Sequence, residues 1–176
     1  MQRVEPTRVI KAVWKSIVSK TFIDNSGKQV IFDTFGPEGQ HHAGIVAVTK
    51  DKKVIVARQF RPGPEKIMWE IPGGTVEEDE DFLEAAKREM REETGYEVGS
   101  ITELGIAHKD AYMNATWHFF LALDCEQVAK QNLDETEDIA IELMSIEDFI
   151  SNAFNDLITD HAAVLMAYER LKNLEP

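Results

Sequence analysis

Three glutamates in the middle of the chain have the spacing of a metal site. Glu89, Glu92 and Glu93 lie at positions i, i+3 and i+4, so a helix would place their carboxylates on one side. Carboxylates this close repel one another, and a cation between them is the simplest physical reason for such a cluster. Carboxylate oxygens are hard ligands, which suit Mg²⁺ or Mn²⁺. The spacing therefore predicts a helix that holds a divalent metal ion.

The pattern around these glutamates predicts the helix itself, over residues 79–94. At about 100° per residue, the apolar side chains of this segment share one arc. They are Phe82, Leu83, Ala86 and Met90. Glu89 and Glu93 fall at the edge of that arc, where a side chain is partly withdrawn from water. Gly95 is predicted to end the helix, because glycine readily adopts the left-handed conformation of a helix terminus.

The charges on this helix also have an ordinary explanation. Glu80 and Lys87 fall on the face opposite the apolar arc, together with Glu84 and Arg91, as on any solvated helix. Arg88 and Glu92, at i and i+4, have the spacing of a surface ion pair. Spacing alone leaves both explanations open, a metal site and a set of surface ion pairs.

Composition predicts one compact domain and excludes some partners. The chain has 176 residues, of which 43% are hydrophobic, enough for a substantial core. Its 32 acidic and 19 basic residues give a formal net charge of -13. Nucleic acid is therefore not expected as a partner, because phosphate backbones are bound through an excess of Lys and Arg. A small polyanionic substrate remains compatible, since a bound metal ion reverses the local field.

The cysteine count and the N-terminus predict a cytoplasmic protein with no membrane contact. Cys125 is the only cysteine, so the chain forms no intrachain disulfide, and its apolar neighbours predict an inert thiol. The first residues are charged without a following apolar run, and no stretch approaches the length of a membrane span.

Strands and further helices are predicted on both sides of the metal-site helix. The first 42 residues have the pattern of a strand meander with a turn at residues 25–27. Later strands are predicted at 43–48, 54–60, 101–107, 116–123 and 140–144, and helices at 146–152 and 160–174. Trp14, Phe22 and Phe32 could stack on a base, although aromatic residues on strands are more often core residues.

The full spacing of the acidic segment resembles the signature box of the Nudix hydrolases. Gly74 is followed by Glu80 and then by residues 88–96, which read Arg-Glu-Met-Arg-Glu-Glu-Thr-Gly-Tyr. Tyr96 departs from the family pattern, which usually has an aliphatic residue there. The resemblance implies an α/β/α sandwich with a mixed sheet. It also implies a site in which Glu89, Glu92, Glu93 and the carbonyl of Gly73 bind Mg²⁺ or Mn²⁺. Arg88 would orient one of these ligands by pairing with it.

Beyond the box, the chain resembles the ADP-ribose pyrophosphatase branch of the family. Residues 1–42 are similar to the small N-terminal antiparallel β subdomain that contributes to a homodimer and to the substrate pocket in that branch. Residues 43–176 would then form the Nudix hydrolase domain. Residues 56–62 and 69–74 resemble the substrate strand and loop, which implies that the substrate contacts are Arg58, Arg61, Trp69 and Glu70. Arg61, beside Pro62, also fits a solvated loop residue.

The same resemblance extends to an acidic loop at residues 134–139, whose glutamate supplies the general base in that branch. Glu137 is the first candidate and Glu135 the alternative, so the predicted catalytic set is Glu137, Glu135, Glu92 and Arg88. An exposed turn before a strand would also explain this acidic stretch. Under the functional interpretation, Glu137 reaches a water beside the scissile phosphorus.

The predicted function is Mg²⁺-dependent hydrolysis of the diphosphate linkage of a nucleoside diphosphate sugar, ADP-ribose giving AMP and ribose 5-phosphate. Members acting on ADP-ribose often carry a proline where this chain has residues 109–114, which contain none. GDP-mannose, another ADP-sugar and a dinucleoside polyphosphate are therefore alternative substrates. A non-catalytic nucleotide-sugar sensor is the alternative from another class, and it is disfavoured because every carboxylate of the box is present.

Overall fold

The structure is a computed structural model that describes residues 2–11, 15–135 and 137–174. They form two units. One comprises the residues up to His41 together with His108–Thr116, and the other comprises His42–Ala107 and the residues from Trp117 onward. The division predicted from the sequence, residues 1–42 and residues 43–176, did not assign His108–Thr116 to the first unit. Trp14, one of the aromatic residues considered for base stacking, lies outside the described residues.

The first unit contains a three-stranded antiparallel sheet. Its strands are β1 (Gln2–Lys11), β2 (Ser16–Ile23) and β3 (Gln29–Phe35). Between β2 and β3 the carboxylate of Asp24 accepts the backbone N–H of Ser26 at 2.8 Å and of Lys28 at 3.0 Å. Gly27 adopts a left-handed φ of 85° there. These contacts confirm the turn predicted from the sequence.

An eight-stranded mixed sheet forms the centre of the second unit. Its strands are β4 (His41–Thr49), β5 (Lys53–Arg61), β6 (Lys66–Glu70), β7 (Gly73–Thr75), β8 (Tyr96–Glu97), β9 (Ser100–Ala107), β10 (Thr116–Gln127) and β11 (Ala140–Ser145). The main path runs β11, β5, β4, β10, β8, with β6 beside β5, β7 beside β4 and β9 beside β10. The sequence pattern does not predict β6, β7 or β8, because strands of two to five residues are too short to show alternation.

Helices cover both faces of this sheet. They are α1 (Phe82–Thr94), α2 (Ile146–Phe154) and α3 (His161–Lys172). On β4, Ile45 and Ala47 pack with the apolar side of α1, which we call the α1 face. Val46 and Val48 alternate with them and pack with α2 and α3 on the α2–α3 face. The structure thus confirms the predicted α/β/α sandwich, with a small antiparallel sheet besides.

The ends of α1 follow from two capping residues. Asp81 accepts the N–H of Leu83 at 2.9 Å and so caps the first turn. Asp79 has a left-handed φ of 66°, so the predicted start of the helix at residue 79 is wrong by three residues. At the other end Gly95 has a φ of 75°, and its N–H donates to the carbonyl of Arg91 at 2.8 Å. This confirms the predicted glycine stop.

The single thiol lies inside the second unit. Cys125 of β10 is 2% exposed, and burial raises the pKa of its thiol to about 11. A protonated, buried thiol is a poor nucleophile, in agreement with the expected inert residue. Among the described residues, no helix combines the length and the apolar character that crossing a bilayer requires.

Candidate active site

Glu93 is the buried carboxylate of α1. Its side chain joins the last turn of the helix to β7, because Oε2 accepts the N–H of Gly73 at 2.8 Å. Burial raises the pKa of Glu93 to about 8; the N–H of Gly73 opposes this shift, and the charges of Glu89, Glu137 and Glu70 add to it. A desolvated carboxylate facing like charges is stabilised by a cation.

Glu89 lies directly against the backbone of β7. A Cβ added at Gly74 would be 2.5 Å from Oε1 of Glu89 and 2.6 Å from its carboxyl carbon, so the glycine leaves room for this carboxylate. Burial is the main cause that raises the pKa of Glu89, and the positive charge of Arg88 partly offsets it. Glu89 and Glu93 therefore approach the same pair of glycines, Gly73 and Gly74.

Arg88 connects the acidic side chains around the helix. Its guanidinium donates to Glu80, Glu89, Glu92 and the carbonyl of Thr75 at 2.9 to 3.1 Å. These acceptors, Glu80 first among them, hold the pKa of Arg88 above its usual range. The predicted solvated position of Glu80 is wrong, because Glu80 precedes α1 and turns toward Arg88, leaving its side chain 17% exposed. The ion pair between Arg88 and Glu92, the ordinary explanation of the charges, is present as well.

A cavity of about 280 Å³ opens beside these groups. Gly73 and Gly74 of β7 form part of its wall, and Glu89 and Glu92 of α1 form another part. Glu137, from the loop that follows β10, completes the acidic lining. Helix, glycine strand and acidic loop thus meet at one place, although Glu137 follows Glu92 by 45 residues in the sequence. The chain between them includes β10, after which the loop returns to the helix.

The loop places its two candidate bases differently. Oε2 of Glu137 accepts the N–H of Asp134 at 2.9 Å, and the N–H of Glu137 donates to the carbonyl of Asp134 at 3.0 Å. These two bonds close a tight turn that keeps the Glu137 carboxylate at the cavity. Glu135 is not among the described residues that line the cavity. The geometry therefore favours Glu137 over Glu135 as a group acting on a bound molecule.

The donor set fits a hard divalent cation. Glu89, Glu92 and the backbone of Gly73 line the cavity, and Glu93 lies beside it through its bond to the N–H of Gly73. Oxygen is the ligand that Mg²⁺ and Mn²⁺ prefer. Among the residues that the structure describes, no three acidic, His or Cys side chains already converge as a metal site. Arg88 holds Glu89 and Glu92 in ion pairs, so a cation would compete with this guanidinium for their oxygens.

Arg61 and Glu70 form a second charged group on the α1 face. Both Nε and one terminal nitrogen of Arg61 donate to the Glu70 carboxylate, which also accepts a 3.3 Å bond from Gln59. The bond to Glu70 raises the pKa of Arg61, and the charges of Asp160 and Glu93 also raise it. Glu70 is 8% exposed. The carboxylate of Glu70 is thus occupied by protein donors, whereas Arg61 keeps unshared N–H groups.

Arg58 and Trp69 lie on the other face of the sheet. Arg58 alternates with Val54 and Val56, whose side chains belong to the core of the α2–α3 face. Its Nε is 3.4 Å from Glu142, and Nε1 of Trp69 donates to Glu142 at 2.7 Å. The sheet therefore separates these two predicted substrate contacts from the carboxylates of α1, and both lie outside the substrate site proposed below.

Asp160 is a buried residue near the site that the sequence analysis did not single out. It precedes α3, where an aspartate normally predicts a helix cap, but its side chain makes no capping bond. Instead, Oδ2 accepts the N–H of Ile71 at 3.0 Å and the hydroxyl of Thr159 at 3.2 Å. Asp160 thereby fixes the chain just before Pro72 and Gly73.

Comparison with a solved structure agrees with this architecture. The crystal structure of an ADP compounds hydrolase superposes with a TM-score of 0.81 at 18% sequence identity, covering 99% of this chain and 97% of that one. At that identity the likeness shows a shared fold.

Sequence comparisons identify relatives. The chain is 33% identical over 106 residues to the ADP-ribose pyrophosphatase of Bacillus subtilis (strain 168), covering 59% of this chain and 57% of the relative. It is 29% identical over 125 residues to the methanol dehydrogenase activator of Bacillus methanolicus, covering 69% and 66%. The chain thus spans less than two thirds of each relative's length. The sequence model of the NUDIX domain matches residues 40–167, which is most of the chain. The chain belongs to the Nudix family.

Proposed function

We propose that this protein hydrolyses the diphosphate linkage of a nucleoside diphosphate sugar, with ADP-ribose as the first candidate substrate. AMP and ribose 5-phosphate would be the products. The observation that carries the proposal is the cavity at which Glu89, Glu92 and Glu137 meet the glycine pair of β7. The similarity to an ADP-ribose pyrophosphatase supports the choice of substrate class.

The site would bind a divalent cation through oxygen ligands. Glu89, Glu92, Glu93 and the carbonyl of Gly73 would hold Mg²⁺ or Mn²⁺, which supplies positive charge to the phosphate oxygens and acidifies a water molecule. Family membership supports the use of a divalent ion, and the all-oxygen donor set supports these two ions. Arg88 fixes the orientation of Glu89, because its guanidinium donates to Oε1 at 2.9 Å.

The chain's own residues would perform binding and proton transfer. The unshared N–H groups of Arg61 bind a phosphate oxygen, while Glu70 keeps the guanidinium in place. Glu137 accepts a proton from the water that attacks the phosphorus through Oε1, while its Oε2 keeps the N–H of Asp134 and so the turn. Positioning and charge account for most of the rate, because phosphoryl transfer needs little covalent help from the protein.

A substrate panel tests the proposal directly. The protein is incubated with ADP-ribose, GDP-mannose, other ADP-sugars and dinucleoside polyphosphates, each with Mg²⁺ and with Mn²⁺. Products formed in ¹⁸O-labelled water identify the phosphorus that is attacked. If no compound of the panel turns over but one of them binds, the catalytic proposal fails and a nucleotide-sugar sensor takes its place.

Replacing Glu137 by Gln is expected to lower kcat by about 10²–10⁴-fold, the usual contribution of a general base. The amide keeps the size of the side chain and an oxygen that can accept the N–H of Asp134, so the loop keeps its turn. KM and the thermal midpoint should change little. Glu135→Gln is the matched control in the same loop, and a larger loss there would transfer the role to Glu135.

Replacing Arg61 and Arg58 by Gln should give opposite results. Arg61→Gln is expected to raise KM roughly tenfold or more, because a charged hydrogen bond to phosphate is lost. Arg58→Gln should leave KM within about twofold, since Arg58 lies on the α2–α3 face. Steady-state kinetics with the substrate found in the panel measure both. Equal increases in KM would contradict the separation of the two arginines by the sheet.

The proposal includes a homodimer formed through the sheet of the first unit. The strand register places Ile10, Ile31 and Phe35 on one face of β1–β3, where they are 46%, 67% and 52% exposed. An exposed apolar patch of this kind is typical of a protein interface. Light scattering is expected to give twice the 20.0 kDa chain mass, and a monomer at micromolar concentration would contradict the dimer.

A further inference from the structure

The chain that follows β10 crosses the C-terminal end of α1. The backbone N–H groups of Val128 and Ala129 donate to the carbonyl of Gly95 at 2.9 and 3.0 Å. The N–H of Asn132 donates to the carbonyl of Glu92 at 2.8 Å. The last carbonyls of a helix have no partner within the helix, so this crossing segment satisfies them.

Gln131 adds a side-chain connection at the same place. Its Nε2 donates to the carbonyl of Glu93 at 2.6 Å and to the carbonyl of Ile139 at 3.0 Å. One acceptor belongs to a proposed metal-ligand residue, and the other lies at the far end of the acidic loop. A single amide group therefore joins both ends of the loop to α1.

Glu137 lies within the segment that this amide closes. It is two residues before Ile139, whose side chain is 6% exposed and so anchors that end of the loop. The turn between Asp134 and Glu137 is itself closed by two hydrogen bonds. The distance from the Glu137 carboxylate to the carboxylates of α1 is thus set by two connections, the loop's internal turn and the Gln131 amide.

We propose that Gln131 is a positioning residue, which holds the loop bearing Glu137 in register with α1. This rests on the proposed function, in which Glu137 is the base and Glu93 a metal ligand. A primary amide suits the role because one nitrogen carries two hydrogens, each directed at a carbonyl oxygen. Glutamate of the same length would face both carbonyls with an acceptor, and methionine has the length without any donor.

A purely structural role for Gln131 makes a different prediction. If the amide only caps α1, removing it lowers stability and leaves the chemistry of bound substrate unchanged. If the amide positions Glu137, its loss lowers kcat only while Glu137 is there to be positioned. A double-mutant cycle with Glu137 distinguishes the two roles.

The test compares the Gln131→Met variant with the parent protein. The same substitution is then made in the Glu137→Gln variant. Gln131→Met is expected to lower kcat about tenfold with KM and the Mg²⁺ concentration for half-maximal rate unchanged, because a small misplacement of a catalytic group is costly. In the Glu137→Gln background the same substitution should change kcat less than about twofold. Equal losses in both backgrounds, or no loss in the parent, would overturn the proposal.

Asn155→Ala is the matched control. Its Nδ2 donates to the carbonyl of Ser151 at 2.9 Å, so this amide also caps the end of a helix, α2, away from the loop. The control should change stability without changing kcat. A loss of kcat as large as that of Gln131→Met would assign the effect to helix capping in general.

A second measurement does not depend on turnover. Hydrogen exchange at the amides of Asp134 and Glu137 is expected to be several-fold faster in Gln131→Met than in the parent protein, since the loop loses its connection to α1. Unchanged exchange at both amides would overturn the positioning role even if a substrate is hydrolysed. If exchange is faster but the protein hydrolyses nothing, the connection of the loop to α1 through Gln131 is supported and the proposed function is rejected.

Discussion

The Glu93→Gln variant is expected to lose about 10³-fold or more in kcat and yet to be more stable than the parent protein in metal-free buffer at pH 8 or above. The loss follows from the proposed metal site, because the amide removes a charged ligand. The gain follows from the burial of Glu93, which is 6% exposed and close to other carboxylates. If the Glu93 carboxylate stabilised the fold, its replacement by Gln would lower the stability instead.

The sign of the stability change depends on where the proton binds. The pKa of Glu93 is raised from 4.5 to about 8 in the folded protein, mainly by burial. Below pH 4.5 folded and unfolded chains both hold the proton, so Glu93 does not disfavour folding. As the pH rises from 4.5 through 8 the unfolded chain ionises first, and the stability is progressively lost. The full loss is on the order of a few kcal/mol, and Gln does not suffer it.

Urea unfolding between pH 5 and 9, with EDTA and with Mg²⁺, measures this effect. In EDTA the stability difference between the variant and the parent should grow with pH. Mg²⁺ should stabilise the parent more than the variant. Glu84→Gln, on the exposed side of α1 beside Lys87, is the control and should change neither stability nor kcat by much. A constant difference across the pH range, with equal stabilisation by Mg²⁺, would contradict the assignment.

The Gly73→Ala variant is expected to lose several kcal/mol of stability, and with it the activity. A Cβ at this position would lie 2.3 Å from the carbonyl oxygen of Ala43 and 2.7 Å from Cα of Gly44, both of them backbone atoms. The pairing of β7 with β4 fixes that approach, so the strands would have to separate. The N–H that Gly73 donates to Glu93 would move with them.

Two other glycines provide the comparison. Gly63→Ala has open space around its Cβ and should leave the unfolding midpoint unchanged. Gly74→Ala meets the carboxylate of Glu89 rather than backbone, so the protein should fold while the ligand is displaced. Thermal unfolding and circular dichroism measure the stability of the three variants, which should be lowest for Gly73→Ala. A Gly73→Ala protein as stable as Gly63→Ala would show that β7 is not held as closely as described.

Local interactions in α1 were predictable, and its first turn was not. The glutamate spacing and the apolar arc give the helix, and Gly95 gives its end, because each signal lies within the segment. The start was misplaced because the left-handed Asp79 and the capping Asp81 act through backbone geometry, and acidic residues in a row do not distinguish a cap from a first turn.

Contacts between distant segments were the least predictable part. Gly73 and Gly74 have the appearance of a loop, and β7 forms only because it pairs with β4, some thirty residues earlier. The role of Gln131 could not be read from the sequence, because its amide bonds to backbone carbonyls, which every residue type provides. Strand alternation with Val54 and Val56 places Arg58 on the face away from α1, a signal that the assignment of Arg58 to the substrate by resemblance did not use.

The pKa of about 11 at Cys125 makes the protein convenient for site-specific spectroscopy. Maleimide reagents react with thiolates, and a buried thiol that stays protonated at neutral pH is spared. A dye or spin label can therefore be attached to an introduced surface cysteine, such as Glu135→Cys in the exposed acidic loop, without first removing the native one.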